Sequence, residues 1–257
     1  MNVGNHRKCI WCGRNSDETN FETIAHILPK ALGGKETVAD VCDECNHYFG
    51  TAPKGTHHVP CMDHAFKEIF GAIRMFSGNL TSESYKNFSS AYFTYRHKNH
   101  LIKIKNNFNS QSVTRQFKRA LYEVFLQKYH AVTGDGHNPI FQMVRDFARY
   151  DRGCPHVYYA FNNIVLSPTG DYVQHPYLPM SDKLVADITK YGMFDFWVLG
   201  HNFYLEIIPL LANVYRDNYL QNEANKTIIR IKNNEGIYEF NDIMQIDFLM
   251  TRFNSKK

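Results

Sequence analysis

The sequence has no run approaching the roughly 18 to 20 consecutive apolar residues that a membrane-spanning helix needs. Its first ten residues, MNVGNHRKCI, contain no apolar segment of the kind that heads a secretory signal. A cytoplasmic protein without a membrane partner is the expectation. Internal repeats and low-complexity tracts are missing, as are the Gly-rich lysine loop that cradles nucleotide phosphates and the glycine fingerprint of dinucleotide-binding folds. Nucleotide-driven and hydride-transfer chemistry therefore have no support. What remains, 44% hydrophobic and 21% charged residues over 257 positions, is the composition of a folded chain long enough for one large domain or two smaller ones.

The net charge is only +4, but it is unevenly spread. Residues 1–130 hold 17 Lys+Arg against 11 Asp+Glu, and residues 131–257 hold 12 against 14. Positions 84–122 carry Lys86, Arg96, Lys98, Lys103, Lys105, Arg115, Lys118 and Arg119 with no acid. Such a stretch fits either a phosphate-binding surface or a solvated basic face.

Six cysteines narrow the choice further. Cys9-x-x-Cys12 and Cys42-x-x-Cys45 are two knuckles 29 residues apart, while Cys61 and Cys154 stand alone. The two-residue spacer lets both sulfurs of a knuckle face one ion at about 2.3 Å, so the four thiols predict a structural zinc site. A redox dithiol lacks support, because neither pair follows a βαβ pattern. A closed four-thiolate site explains folding, not catalysis. Between the knuckles a short apolar strand delivers His26, Pro29 stops regular pairing, and Gly33-Gly34 makes a tight turn. Asn46-His47 follows the second knuckle at the start of a helix. The module reads strand, turn, strand, helix.

The series C-x-x-C, His-Ile-x-Pro-x-x-x-Gly-Gly and C-x-x-C-Asn resembles the HNH endonuclease family, in particular its members with a four-cysteine zinc site and a ββα-metal fold. The resemblance covers about residues 7–50. It implies that His26 is the general base that activates a water, that magnesium or manganese binds the scissile phosphate, and that Asn46 ligates that ion. It also implies 5′-phosphate and 3′-hydroxyl products, and a role in restriction, anti-phage defence or mobile elements. A histidine titrating near neutrality suits proton abstraction, and a cation suits charge building on phosphate.

Two positions depart from the family pattern. Ala25 stands where the family has an acidic metal ligand, and Asp40 stands where related sequences often carry the Asn that orients the histidine. Glu22 is about 13 Å away along an extended strand, too far to replace the acid at 25. Asp40 is expected to accept the imidazole N–H or approach the metal. His47 and the segment 55–64, with His57, His58, Cys61, Asp63 and His64, are the other sources of ligands, unless that segment is simply a polar connection.

Beyond residue 61, Asp63–Phe76, Ser112–Val132 and Asn138–Arg149 have helical spacing, and Ala91–Lys105 reads as a hairpin around His97-Lys98-Asn99. Arg115, Lys118 and Arg119 fall on one helical face suited to gripping DNA backbone. Strands are expected at Val157–Leu166, Phe194–Ile208 and, folded about Asn233–Gly236, Thr227–Phe240. Their aromatics read as core rather than as platforms for bases. The expectation is an α+β protein: an HNH module with structural zinc over residues 1–60, then a mostly antiparallel α+β domain over 61–257 for nucleic-acid binding or partner recognition. DNA is the expected substrate, with RNA, a regulatory protein partner and self-association left open. Lys30, Arg96, Lys98, Lys103, Lys105, Arg115, Lys118 and Arg119 are the candidate nucleic-acid contacts. The rival function is a zinc-stabilised binding or adaptor module whose catalytic metal site has decayed at Ala25.

Overall fold

The computed structural model describes residues 6–55, 59–77, 89–96, 101–161, 175–226 and 236–248. The expected contacts Lys86 and Lys98, the histidines His57 and His58, the hairpin turn at 97–99 and most of the Thr227–Phe240 hairpin lie outside these residues.

The N-terminal module is built as expected. Strands β1 (Ala25–His26) and β2 (Thr37–Val38) pair antiparallel, with Ala25 opposite Val38 and His26 opposite Thr37. Pro29 opens a 3-10 turn over Lys30–Leu32, and Gly33, at φ 87°, closes it in a left-handed conformation that favours glycine. Gly34 is required for another reason, since a Cβ there would sit 2.2 Å from the Leu28 carbonyl oxygen. Helix α1 (Asp43–Gly50) starts at the second knuckle, with Asp43 and Glu44 placed where the helix dipole favours negative charge.

Helix α2 (Met62–Ser77) and the hairpin of β3 (Phe93–Arg96) and β4 (Leu101–Ile104) follow. Helix α3 (Ser110–Thr133) begins on Asn109, whose side chain accepts from the Ser112 N–H, and ends at Gly134, φ 74°. A 3-10 turn (Pro139–Phe141) leads into α4 (Gln142–Tyr150). The remaining strands, β5 (Val157–Phe161), β6 (Met193–Val198), β7 (His201–Glu206) and β8 (Tyr238–Glu239), form one antiparallel sheet in the order β6-β7-β5-β8. Helices α5 (Asp182–Tyr191) and α6 (Pro209–Lys226) flank β6 and β7 in sequence. The α+β class is as expected.

Two expectations change. The single strand foreseen over Phe194–Ile208 is a hairpin, because Leu199 and Gly200 both take positive φ, 52° and 85°, and reverse the chain in two residues. Helix α3 does not present a basic face. Its residues from Val113 to His130 are nearly all buried, so the helix is the central strut of the molecule.

One buried apolar cluster runs from Cys9, Trp11 and Phe49 through Phe66, Phe117 and Phe125 to Phe203 and Phe240, on both sides of residue 60. Polar ties reinforce it. Arg145 donates from Nε to the Ile10 carbonyl at 2.8 Å and from Nη2 to the Gly136 carbonyl at 2.7 Å. Lys128 pairs with Glu36, Arg149 with Glu44 at 3.2 Å, and Arg74 donates to the Leu32 carbonyl at 2.9 Å. Helices α2, α3 and α4 thus hold the small module in a fixed position. No helix of the described residues is long and apolar enough to cross a membrane.

Candidate active site

The ligand sulfurs of Cys9, Cys12, Cys42 and Cys45 all lie within 4.8 Å of one another. Cys12 Sγ and Cys42 Sγ are 3.7 Å apart, close to the roughly 3.8 Å edge of a tetrahedron built on Zn–S bonds of about 2.3 Å. The donor set therefore fits zinc. Cationic neighbours favour thiolate there: Arg14 Nε donates to Cys12 Sγ at 3.4 Å and Arg149 Nε to Cys45 Sγ at 3.3 Å. Hydrogen bonds from Cys45, Cys9 and Arg14 hold the Cys12 thiol below the usual thiol range.

Beside this cluster the β1 strand and helix α1 converge on a cavity of about 420 Å³. His26 reaches it from β1 and Asn46 from α1. Ala25 does not line it. Strand alternation turns Ala25 the other way, into the core, where it is 1% exposed.

A hydrogen-bonded relay fixes the Asn46 amide. The Asp43 carboxylate accepts from the Glu22 and Thr23 backbone N–H groups at 3.1 and 2.8 Å and from the Thr23 hydroxyl at 2.6 Å. The Thr23 hydroxyl, its proton given to Asp43, accepts from Asn46 Nδ2 at 3.0 Å. The amide nitrogen is thus committed, and the Asn46 carbonyl oxygen remains a donor atom for a cation. The Thr23 bonds also hold the Asp43 carboxyl below its ordinary range. Thr23 and Asp43 were not singled out in the sequence; their only signal is that they flank the strand histidine and open the helix.

The far wall of the cavity comes from outside the module. Asp63 and His64, at the start of α2, line it together with Lys67 and with Glu123 from the middle of α3. Of the segment 55–64, which reads either as a source of ligands or as a polar connection, Cys61, Asp63 and His64 line the cavity. Burial raises the pKa of Asp63 and lowers that of His64. Glu123, 6% exposed, is pushed well above the usual carboxylate range by burial and then by the neighbouring Asp63 charge. Glu123 went unnoticed in the sequence, although it is the sole acid in a 24-residue helix.

The remaining candidates sit elsewhere. Asp40 does not line the His26 cavity; its carboxylate takes His130 Nε2 at 3.0 Å and lies 3.6 Å from Arg7 Nε. His137 joins Asp40 and His130 as a compact trio, but His130 Nδ1 already accepts the Gly136 N–H at 3.1 Å. The Nε2 proton then belongs to the bond with Asp40, which leaves no imidazole lone pair for a metal. His47 stands one residue beyond Asn46, about 100° round the helix, and lines a second cavity of about 490 Å³ with Tyr48, Arg119 and Arg149. Its Nε2 is 3.1 Å from the Thr51 hydroxyl. Asn46 and His47 therefore do not face one ion.

Among the basic residues, Lys30 lines the His26 cavity, and Arg96 and Lys103 are exposed on the outer face of the β3–β4 hairpin. Lys105, also exposed, donates to the Ser90 carbonyl. The trio expected on α3 is not a DNA-facing surface. Arg119 is 2% exposed and donates to the Phe147 and Ala148 carbonyls, Gln116 and the Tyr48 hydroxyl. Lys118 is 6% exposed and lies 5.8 Å over the Phe240 ring, with its pKa lowered by burial. Arg115 is engaged by Asp151 at 2.7 Å and by the Gly153 carbonyl. Periodicity placed the three together correctly, but that face packs against α4 and the sheet rather than solvent.

No curated protein and no solved structure matches the chain. Residues 9–54, the segment that carries the four clustered cysteines, His26 and Asn46, match the family model of the HNH endonucleases.

Proposed function

We propose that the chain is a divalent-cation-dependent DNA endonuclease or nickase that hydrolyses phosphodiester bonds at the His26 cavity. One observation carries this reading: His26 and Asn46, contributed by the HNH-matching segment, line the same cavity. In this reading the His26 imidazole takes the proton of the attacking water. Lys30 and Lys67 on the cavity wall hold the phosphates on either side of the scissile bond. The Asn46 carbonyl oxygen, with its amide nitrogen tied to Thr23, is one anchor for a magnesium or manganese ion. When bound, that ion supplies positive charge against the charge building on the phosphate. Zinc at the four cysteines is closed to substrate and holds the two arms of the site together.

Arg96 and Lys103 extend the phosphate contacts along the hairpin, and residues 61–257 serve in nucleic-acid binding or partner recognition. The products carry 5′-phosphate and 3′-hydroxyl ends. Restriction, anti-phage defence or mobile-element activity is the biological role that the family resemblance implies, and the cytoplasm is the compartment proposed for it.

The test is conversion of supercoiled plasmid to nicked or linear DNA by the zinc-loaded chain, with magnesium, with manganese and with EDTA, and with an RNA of matching sequence as second substrate. Cutting in either metal that stops in EDTA supports the proposal. Ala25 favours a second reading, a binding module without catalysis. Salt-sensitive DNA binding that persists in EDTA, with no cutting in either metal, would favour that second reading.

A further inference from the structure

We infer that Asp63 of α2 and Glu123 of α3 are the carboxylate ligands of the catalytic cation, replacing from outside the HNH motif the acid absent at Ala25. The inference rests on reading the His26 cavity as the nuclease site, and it names ligands that the motif itself does not contain.

Both carboxylates line the cavity that holds His26 and Asn46. They sit on two different elements outside the HNH-matching segment, Asp63 at the first turn of α2 and Glu123 midway along the central helix. Among the described residues, Asp63 has no hydrogen bond and no ion pair, although it is largely withdrawn from solvent. Glu123 is 6% exposed, and its one hydrogen bond comes from the Gln127 amide at 3.1 Å. Among the described residues no Lys, Arg or His lies within ion-pair distance of either carboxylate, although the Arg119 charge acts on Glu123 from farther off and Lys30 and Lys67 line the same cavity. Elsewhere two buried charges are matched directly: Lys128 meets Glu36, and Arg216 meets Glu206 at 3.2 Å. A buried carboxyl and a half-buried one beside it, neither in an ion pair, either hold their protons or take up a cation.

The surroundings fit that cation. Oxygen donors from two carboxylates and one amide suit a hard divalent ion. The cavity holds no three His, Cys or carboxylate atoms that all lie within 4.8 Å of one another among the described residues. Magnesium and manganese keep water ligands and accept phosphate oxygens, so a few protein oxygens suffice to hold them. Gly50, at the end of α1, faces this point: a Cβ there would come within 3.4 Å of Asp63 Oδ2.

The experiment is manganese binding to the zinc-loaded full chain, followed by the electron paramagnetic resonance signal of free manganese, without and with a DNA duplex. The variants are Asp63→Asn, Glu123→Gln, the double variant and His26→Ala. The substitutions to amides keep shape, and circular dichroism with zinc content verifies the fold. The expected result is one manganese per chain, at least tenfold weaker binding in each amide variant, loss of binding in the double variant, and retained binding in His26→Ala. Wild-type affinity in both folded amide variants would overturn the inference even if the protein cuts DNA. Absence of manganese binding by the wild type, with and without duplex, would overturn it as well. Binding lost in the double variant while the wild type cleaves no nucleic acid would uphold the ligand assignment and remove the nuclease reading instead. If an amide variant fails to fold, Asp63→Glu and Glu123→Asp replace it, and unchanged manganese affinity in both of these would overturn the inference.

Discussion

Thr23→Val separates what the Asp43–Thr23–Asn46 relay does for stability from what it does for the site. Valine matches threonine in shape and in its preference for extended backbone, so the strand entering His26 keeps its conformation. The hydroxyl lost is the one that donates to Asp43 at 2.6 Å and accepts from Asn46 Nδ2 at 3.0 Å. Thr23 is exposed, so water replaces much of what is removed; at roughly 0.5 kcal/mol for each of these surface hydrogen bonds the net loss is about 1 kcal/mol. For a chain of this size that lowers the melting temperature by roughly 2–4 °C. The Asn46 amide, however, loses its orienting partner, and such a loss beside a metal ligand typically costs 10- to 100-fold in activity or metal affinity. Plasmid cleavage at saturating magnesium, run beside a thermal melt, reads both. A folded Thr23→Val protein that cuts at the wild-type rate would refute the orienting role of the relay.

Gly34→Ala should destabilise the chain by about 1–3 kcal/mol, because the added Cβ meets backbone at Leu28 that has no slack. Gly13→Ala meets no atom within 4 Å and should cost about 1 kcal/mol from its positive φ of 74° alone, so urea titrations should rank Gly34→Ala as the more damaging. His201 is fully buried, with Nδ1 bonded to the Tyr159 hydroxyl at 2.8 Å and its pKa pushed down to about 3 by burial. Its folded pKa lies below the unfolded value of about 6.5, so stability is lost as pH falls from there toward 3, at up to about 1.4 kcal/mol per pH unit. His201→Phe should flatten that slope in melts between pH 6.5 and 4. Metal analysis should find one zinc per chain. Its removal by a strong chelator should unfold the module, given that such sites contribute about 10–16 kcal/mol in small zinc domains, and a chain that folds and melts unchanged without zinc would contradict the structural role.

The module was legible because its determinants are local: two C-x-x-C knuckles, a proline and two glycines fix a turn and a strand within 37 residues. The hairpin of β3 and β4 was legible for a similar reason, its apolar and basic residues alternating with the pleat. The face of α3 was misread because helical spacing groups Arg115, Lys118 and Arg119 without saying what lies opposite. Only the tertiary structure brings the Phe147 and Ala148 carbonyls and Asp151 to them. Helix α5, not among the expected helices, is bounded by Ser181, whose side chain accepts from the Leu184 N–H, and by Gly192, φ 71°. Asp63 and Glu123 are 60 residues apart in sequence and meet only when α2 packs on α3. No spacing rule reaches that far. Asp40 was expected to orient His26 because it stands at the family position of the histidine-orienting Asn, while the fold gives it His130 instead.

The most direct measurement is the rate of plasmid cleavage by His26→Ala at equal zinc content and equal manganese occupancy, repeated with added imidazole. Loss of cleavage by the variant, with partial recovery as imidazole concentration and pH rise, is the result expected if His26 takes the proton from water in the cavity. Cleavage at the wild-type rate by His26→Ala would contradict it.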